Sequence, residues 1–203
     1  KWTDFCAPHP EVSTAYTAYM MSLMTKIAET LGYDADAALF RKYRDGCKKA
    51  YQELVTTQHY SLDTDRQARL VRPLAFDLLT DEQTDLTKKR LIQALENYGW
   101  RLGTGFLSTP LILDVLTAID IEAAYKLLEN EEIPGWLSMP RNGATTIWER
   151  FEMKKNPGMN SHNHPMYGAV GYWFYAYLGG IIPTEPGFTR VSVKPYFPEK
   201  LTS

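Results

Sequence analysis

The sequence has little of what would mark a specialised class. It holds two cysteines in 203 residues, Cys6 and Cys47, so one disulfide is the most it could carry and a cysteine-stapled scaffold is excluded. Cys47 falls on the apolar stripe of a helical pattern, where a lone thiol behaves as a small core residue, and both cysteines are expected to be free thiols. An excess of one charge is also missing. Twenty-two basic residues against 24 acidic ones leave a formal net charge of −2, which offers no positive field to nucleic acid or to an anionic lipid surface. No apolar run approaches the roughly 20 residues that span a bilayer, and Lys1 to Pro10 do not form a signal peptide. The expectation is a soluble chain with no nucleic-acid partner, no membrane span and an uncharged ligand. None of these features assigns a compartment.

What is present is an ordinary globular composition, 44% hydrophobic and 23% charged, with a high aromatic content of 13 Tyr, 8 Phe and 5 Trp. Flat apolar rings with polar edges suit the C–H faces of sugars; they equally suit a tightly packed helical core. Val12, Tyr16, Tyr19, Leu23, Ile27 and Leu31 recur at helical spacing, and Gly32 supplies a stop. Further stripes run through Leu39, Tyr43, Cys47, Ala50 and Leu54, and through Leu70, Leu74 and Leu78. Thr80 with Gln83 has the spacing of a capping box and opens a helix through Leu91, Leu95 and Tyr98. Thr109-Pro110 reads as a helix start over Leu111 to Ile119, followed by a short helix from Ile121 to about Leu128. The helical period is lost from Glu131 to Gly158, where six prolines and glycines mark a long irregular stretch; loops of that length are functional or disordered, and Trp136 and Trp148 argue against disorder. An aromatic helix is expected from about Ser161 to Leu178. After Gly179-Gly180 a turn-rich connection leads to an alternating strand pattern at Val191, Val193 and Pro195.

Two segments concentrate chemistry. Gly143-Ala144-Thr145-Thr146-Ile147-Trp148-Glu149-Arg150 places a carboxylate between an indole and a guanidinium, in a loop after a glycine that lets backbone approach a ligand. Read from the residues alone, Glu149 and Arg150 are either site groups or surface charges on a turn. Asn160-Ser161-His162-Asn163-His164-Pro165-Met166-Tyr167-Gly168-Ala169-Val170-Gly171-Tyr172-Trp173 crowds amide, imidazole and phenol groups, which can pair with sugar hydroxyls; His162 is equally a helix cap. The His-x-His pair lacks a matching carboxylate or cysteine cluster, so no metal and no cofactor is expected.

These two segments resemble the C-terminal part of the catalytic domain of glycoside hydrolase family 78, the bacterial α-L-rhamnosidases. Thr104-Gly105-Phe106-Leu107-Ser108-Thr109-Pro110 resembles the family's loop before a core helix, with Ser108 where glycine is usual, and Pro134-Gly135-Trp136-Leu137 resembles its Pro-Ser-Trp segment. The resemblance implies an all-α fold, a partial (α/α)6 toroid of the six-hairpin glycosidase type, over residues 1–180, with 181–203 forming a connection and the first strand of a C-terminal β-sandwich. About seven of twelve helices would be present and the rest upstream. Loops 101–110, 131–151 and 160–168 are expected to converge at one end.

The implied activity is inverting hydrolysis of terminal α-L-rhamnosyl residues from a rhamnose-containing oligosaccharide or glycoside. Glu149 matches the family's general base, with Arg150 favouring its charged form, while the acidic segment that supplies the general acid has no counterpart here. His164 matches the histidine that contacts rhamnose hydroxyls, and Asn163 would orient it. Trp2 is similar to a family tryptophan that packs on the sugar, although Lys1 stands where Asp is common. Trp136, Trp148 and Phe106 are candidates for ring stacking or for pocket walls. The chain alone is expected to be inactive and, with helix stripes lacking their partners, to self-associate. A non-catalytic carbohydrate-binding fragment, a helical scaffold and a toroidal glycosidase for another sugar are the rival readings.

Overall fold

A computed structural model describes residues 9–57, 62–151 and 161–198. The chain divides into two compact units, Lys1–Asp65 with Arg69–Gln93, and Arg66–Ala68 with Ala94–Ser203.

The first unit is built on two long helices, α1 (Pro10–Leu31) and α2 (Asp34–Thr57). Pro10 occupies the first position of α1, where its missing N–H costs nothing. Gly32 ends the helix at φ 75°, and the Tyr33 N–H reaches back to the Ala28 carbonyl at 2.8 Å. The turn is so short that α2 folds back along α1. The packing face differs from the large apolar stripes in the sequence. Ala15, Ala18, Thr25 and Ala28 of α1 and Ala37 and Tyr51 of α2 are buried, whereas Leu23, Ile27, Leu31, Leu39 and Tyr43 are exposed and Cys47 is half-buried. The buried residues of the pair are thus mostly small, while the bulkier side chains of the stripes are exposed.

Two shorter helices follow, α3 (Gln67–Ala75), which carries Pro73 inside it, and α4 (Asp81–Asn97). Arg72 Nη2 donates to both carboxylate oxygens of Glu11, at 2.9 and 3.0 Å, with both side chains largely out of solvent. A desolvated pair of this kind holds α1 to α3 because removing either partner strands the other. Tyr19 stacks on Phe76 at 4.5 Å. The capping box at the start of α4 forms as its spacing predicts: the Thr80 N–H donates to Gln83 Oε1 at 3.1 Å, and the Gln83 N–H donates to Thr80 Oγ1 at 3.3 Å.

In the second unit the central element is α5 (Gly105–Ile119), which starts four residues before the expected Thr109-Pro110 signal. Thr109 does not cap; its hydroxyl donates to the Gly105 carbonyl at 2.8 Å, and Pro110 sits inside the helix, where it forgoes one i to i−4 bond. Ser108, Thr109, Ile112, Leu113, Val115 and Leu116 are all buried, which marks α5 as an inner helix. Asp120 then caps α6 (Ile121–Leu128) by accepting the Glu122 N–H at 3.0 Å.

The expected single helix over 161–178 is instead composite. Residues 161–164 are not helical, Pro165–Ala169 is a 3-10 turn, Val170–Trp173 one α-turn and Phe174–Leu178 a π-turn. Pro165 disfavours helical geometry at the preceding residue, and His164 accordingly lies at φ −112°, ψ 96°. Trp173 Nε1 donates to Thr117 Oγ1 at 2.8 Å and ties the α-turn to α5.

The connection after Gly180 contains its own strand. β1 (Ile181–Pro183) pairs antiparallel with β2 (Val191–Val193), Ile181 opposite Val193 and Pro183 opposite Val191, so the alternating pattern at 191–193 has its partner within the chain. Among the described residues no helix is long and apolar enough to cross a membrane.

Candidate functional site

Three loops of the second unit supply the candidate residues. The first is 101–104, clamped from below by Gln67, which is 2% exposed. Gln67 Nε2 donates to the Arg101 carbonyl at 2.8 Å, and the Gly103 N–H donates to Gln67 Oε1 at 2.8 Å. Both ends of one buried amide are thereby satisfied. The Leu102 N–H donates to the Pro134 carbonyl at 2.8 Å, joining this loop to the next, and the hydroxyls of Thr104 and Thr109 meet at 2.8 Å. Phe106 then emerges on the first turn of α5, half exposed.

The second loop, 131–151, is braced by its indole. Trp136 is buried, and its Nε1 donates to the Tyr167 carbonyl at 3.0 Å. Gly135 packs so closely against the Asn130 and Glu132 carbonyls that a Cβ there would sit 2.8 Å from each oxygen, so any side chain would push the loop open. Gly143 takes φ 79° and turns the chain into the Ala144–Glu149 run.

The third loop meets the second in an extended pairing. The His164 N–H donates to the Ile147 carbonyl at 2.7 Å, the Glu149 N–H donates to the Ser161 carbonyl at 3.0 Å, and Thr146 Oγ1 donates to the His162 carbonyl. These bonds bring the stretches carrying Glu149 and His164 side by side. The His164 ring packs 5.0 Å from Tyr167 and 6.2 Å from Phe106, and Tyr167 in turn contacts Phe151 edge-on at 5.1 Å. His164 Nδ1 is buried and has no hydrogen-bond partner among the described residues.

The candidates therefore separate. His164 and Phe106 belong to one aromatic cluster, and Glu149 lies on the loop whose backbone is hydrogen-bonded to the 161–164 stretch. Glu149 is half-buried and Arg150 exposed, and no ion pair between them is present among the described residues. Asn163 is exposed, and its backbone N–H donates to Ser161 Oγ at 3.1 Å. The His164 ring itself lies among the rings of Tyr167 and Phe106. Trp148 is 1% exposed and Trp136 6%, so neither presents an open face for stacking. Trp148 packs the loop, with the edge of His162 at 6.4 Å, and Trp136 forms part of the wall of an apolar cavity of about 290 Å³ with Met139, Ile147 and Phe174. Trp2 lies outside the described residues. No group of three metal-ligating side chains occurs among the described residues.

Sequence reasoning missed Tyr167 and Gln67. Tyr167 stands in the Tyr-Gly-Ala-Val-Gly motif and could have been singled out there as a wall for His164. Gln67 carries no local signal, because its partners are 34 and 36 residues away.

Comparison with known proteins bears on this arrangement. Residues 4–178 match the family model described as the bacterial α-L-rhamnosidase 6 hairpin glycosidase domain. The chain is 36% identical to an α-L-rhamnosidase of Alteromonas sp., over 98% of this chain and 22% of that protein. It is 35% identical to one of Formosa agariphila, over 100% of this chain and 24% of that protein. Among solved structures it is similar to the Streptomyces avermitilis α-L-rhamnosidase complexed with L-rhamnose, with a TM-score of 0.81 and 34% identity over 92% of this chain and 19% of that one. The Aspergillus terreus α-L-rhamnosidase gives a TM-score of 0.82 at 29% identity, over 90% of this chain and 22% of that one. The mainly helical architecture with its short terminal strands is thus that of part of a six-hairpin glycosidase. The chain spans between a fifth and a quarter of the length of the curated relatives it matches.

Proposed function

The chain belongs to the bacterial α-L-rhamnosidase family through its six-hairpin glycosidase domain, and from that premise we propose that it forms part of an inverting glycoside hydrolase that removes terminal α-L-rhamnosyl residues from glycosides or polysaccharides. Inversion uses two carboxyl groups about 6.5–9.5 Å apart, one protonating the leaving oxygen and the other activating a water on the opposite face of the sugar. Glu149 is the base in this scheme. The acid comes from residues that this sequence does not contain.

The observation that supports the reading is the pairing of 146–149 with 161–164, which joins the carboxylate-bearing loop to the imidazole-bearing one through two backbone hydrogen bonds. A base and a sugar-contacting group must keep a fixed separation if water and substrate are to be aligned, and backbone bonds hold that separation better than flexible side chains do. His164 contacts ring hydroxyls, Phe106 offers an apolar surface beside it, and Asn163 reaches the sugar from the exposed side of the turn. Trp136 and Trp148 act as backing for the loop.

The test uses a full-length polypeptide that includes the acid-bearing segment. Glu149→Gln keeps the size of the side chain but cannot take a proton, so kcat toward aryl α-L-rhamnoside is expected to fall on the order of 10²–10⁴-fold, while rhamnose binding persists. His164→Ala is expected to weaken binding and turnover together. The 203-residue chain alone is expected to hydrolyse nothing. Near-normal kcat in Glu149→Gln, or turnover by the chain alone, overturns the scheme.

A further inference from the structure

Helix α4 stops in an unusual way. One left-handed residue is enough for a helix stop, and Gly99 supplies it at φ 65°, with the Gly99 N–H on the Glu96 carbonyl at 2.9 Å and the Trp100 N–H on the Leu95 carbonyl at 2.7 Å. Trp100 follows in the same region at φ 57°. A bulky residue there is an outlier that persists only when its surroundings impose it. Asn130 does so: its Nδ2 donates to the Gly99 carbonyl at 2.8 Å and to the Trp100 carbonyl at 2.7 Å, and its Oδ1 accepts the Glu132 N–H at 2.7 Å. Both N–H groups of that amide hold the backbone at Gly99 and Trp100, and its oxygen fixes Asn130 in its own turn.

The indole is held against a groove. Trp100, Glu122, Tyr125, Lys126, Glu129 and Asn130 line a cavity of about 430 Å³ along α6, within the size range of small-molecule sites. Glu122, Lys126 and Glu129 stand four and three residues apart, so they share one face of the helix, and all three are exposed. Lys126 Nζ lies 4.2 Å from the centre of the Trp100 ring. Glu122 accepts the Tyr196 hydroxyl through one oxygen, which leaves the other. One wall is therefore a flat ring, and the other presents carboxylate acceptors and an ammonium donor.

We propose that this groove is a second carbohydrate-binding site, separate in its residues from the Glu149–His164 loops and able to bind sugar without hydrolysing it. A neutral pyranose has the complementary surfaces: C–H groups for the indole face, and hydroxyls that donate to Glu122 and Glu129 and accept from Lys126. Two carboxylates against one ammonium disfavour phosphates and nucleic acid, and the charged wall disfavours a purely apolar ligand. Lys126 lies over one face of the ring; on binding, the sugar takes that face and the ammonium turns to its hydroxyls.

The site is tested on the 203-residue chain by titrating methyl α-L-rhamnopyranoside, and separately methyl α-D-glucopyranoside, while following the indole N–H signals by NMR. The experiment is repeated in a chain carrying Glu149→Gln and His164→Ala, so that the candidate catalytic loops are silenced and the outcome is independent of the hydrolase reading. The Trp100 signal is expected to shift saturably in both chains with at least one of the two sugars. In variants that lack the reporting indole, binding is followed by isothermal titration calorimetry: Trp100→Ala is expected to weaken it about tenfold or more, and Trp100→Phe, which keeps a flat ring, to retain most of it. Lys126→Ala is expected to weaken it less than Trp100→Ala does, because the ammonium exchanges bonds to water for bonds to the sugar hydroxyls while also uncovering the ring. A Trp100 signal that stays still with both sugars overturns the proposal without recourse to any variant. Binding that survives Trp100→Ala unchanged also overturns it.

Discussion

Gln67→Met isolates what one buried amide does for the candidate site. Methionine keeps the length and burial of the side chain and removes both hydrogen bonds, to the Arg101 carbonyl and from the Gly103 N–H, each 2.8 Å long. A typical intramolecular hydrogen bond contributes about 1 kcal/mol net, so the pair is worth about 2 kcal/mol. Gly103 is exposed and its N–H can return to water, which places the expected loss at about 1–2 kcal/mol. That loss raises the opening equilibrium of the loop about 5–30-fold. The Leu102 amide reports it cleanly, because its own bond to the Pro134 carbonyl is untouched by the substitution. Hydrogen exchange at Leu102 should therefore accelerate by about that factor, while amides in the middle of α1 are unaffected. Exchange at Leu102 within about twofold of the unsubstituted chain would refute the view that Gln67 holds the loop leading to Phe106.

The other predictions concern packing and protonation. Trp136→Phe removes the buried bond to the Tyr167 carbonyl and should cost about 1–3 kcal/mol, seen as a Tm lower by several degrees; a Tm within about 1 °C would show that the carbonyl finds another partner. Burial raises Asp114 above the ordinary carboxylate range, against a smaller opposing pull from its hydrogen bond with Tyr177. The folded state therefore holds that proton more tightly than the unfolded state, and the stabilisation is full below the ordinary carboxylate pKa and lost as pH rises through the raised one. Asp114→Asn cannot ionise, so its stability relative to the unsubstituted chain should improve as pH rises from about 4, the ordinary carboxylate pKa, toward neutral. Burial pushes Tyr177 up to about 12, so the phenol stays neutral throughout that window and does not mask the effect. A stability gap independent of pH would contradict the assignment.

Local chemistry alone determined much of the chain. Gly32 ends α1, Thr80 with Gln83 opens α4, and Asp120 fits the start of α6, because caps and stops depend on backbone groups within a few residues of each other. The family and its fold class were legible in the Gly-Ala-Thr-Thr-Ile-Trp-Glu-Arg and Asn-His-Pro-Met-Tyr-Gly-Ala-Val-Gly runs. Periodicity gave the helices but not their inward faces. The stripe Leu23, Ile27 and Leu31 recurs correctly and yet is exposed, since which face is buried depends on what packs against it, and the residues that α1 buries are Ala15, Ala18, Thr25 and Ala28.

Only the tertiary structure decided the rest. A helical pattern over 161–178 could not reveal that residues 161–164 would leave the helix to pair with the loop before Trp148, because the energy of those bonds comes from carbonyls 12 to 17 residues away. Nor could composition tell a sugar platform from a packing residue. Trp136 and Trp148 were buried by loops folding over them, while Trp100, in a stretch with no motif, was turned toward a groove by Asn130, 30 residues on. Side-chain type sets what an indole can do, but exposure, which only the assembled chain fixes, sets what it is free to do.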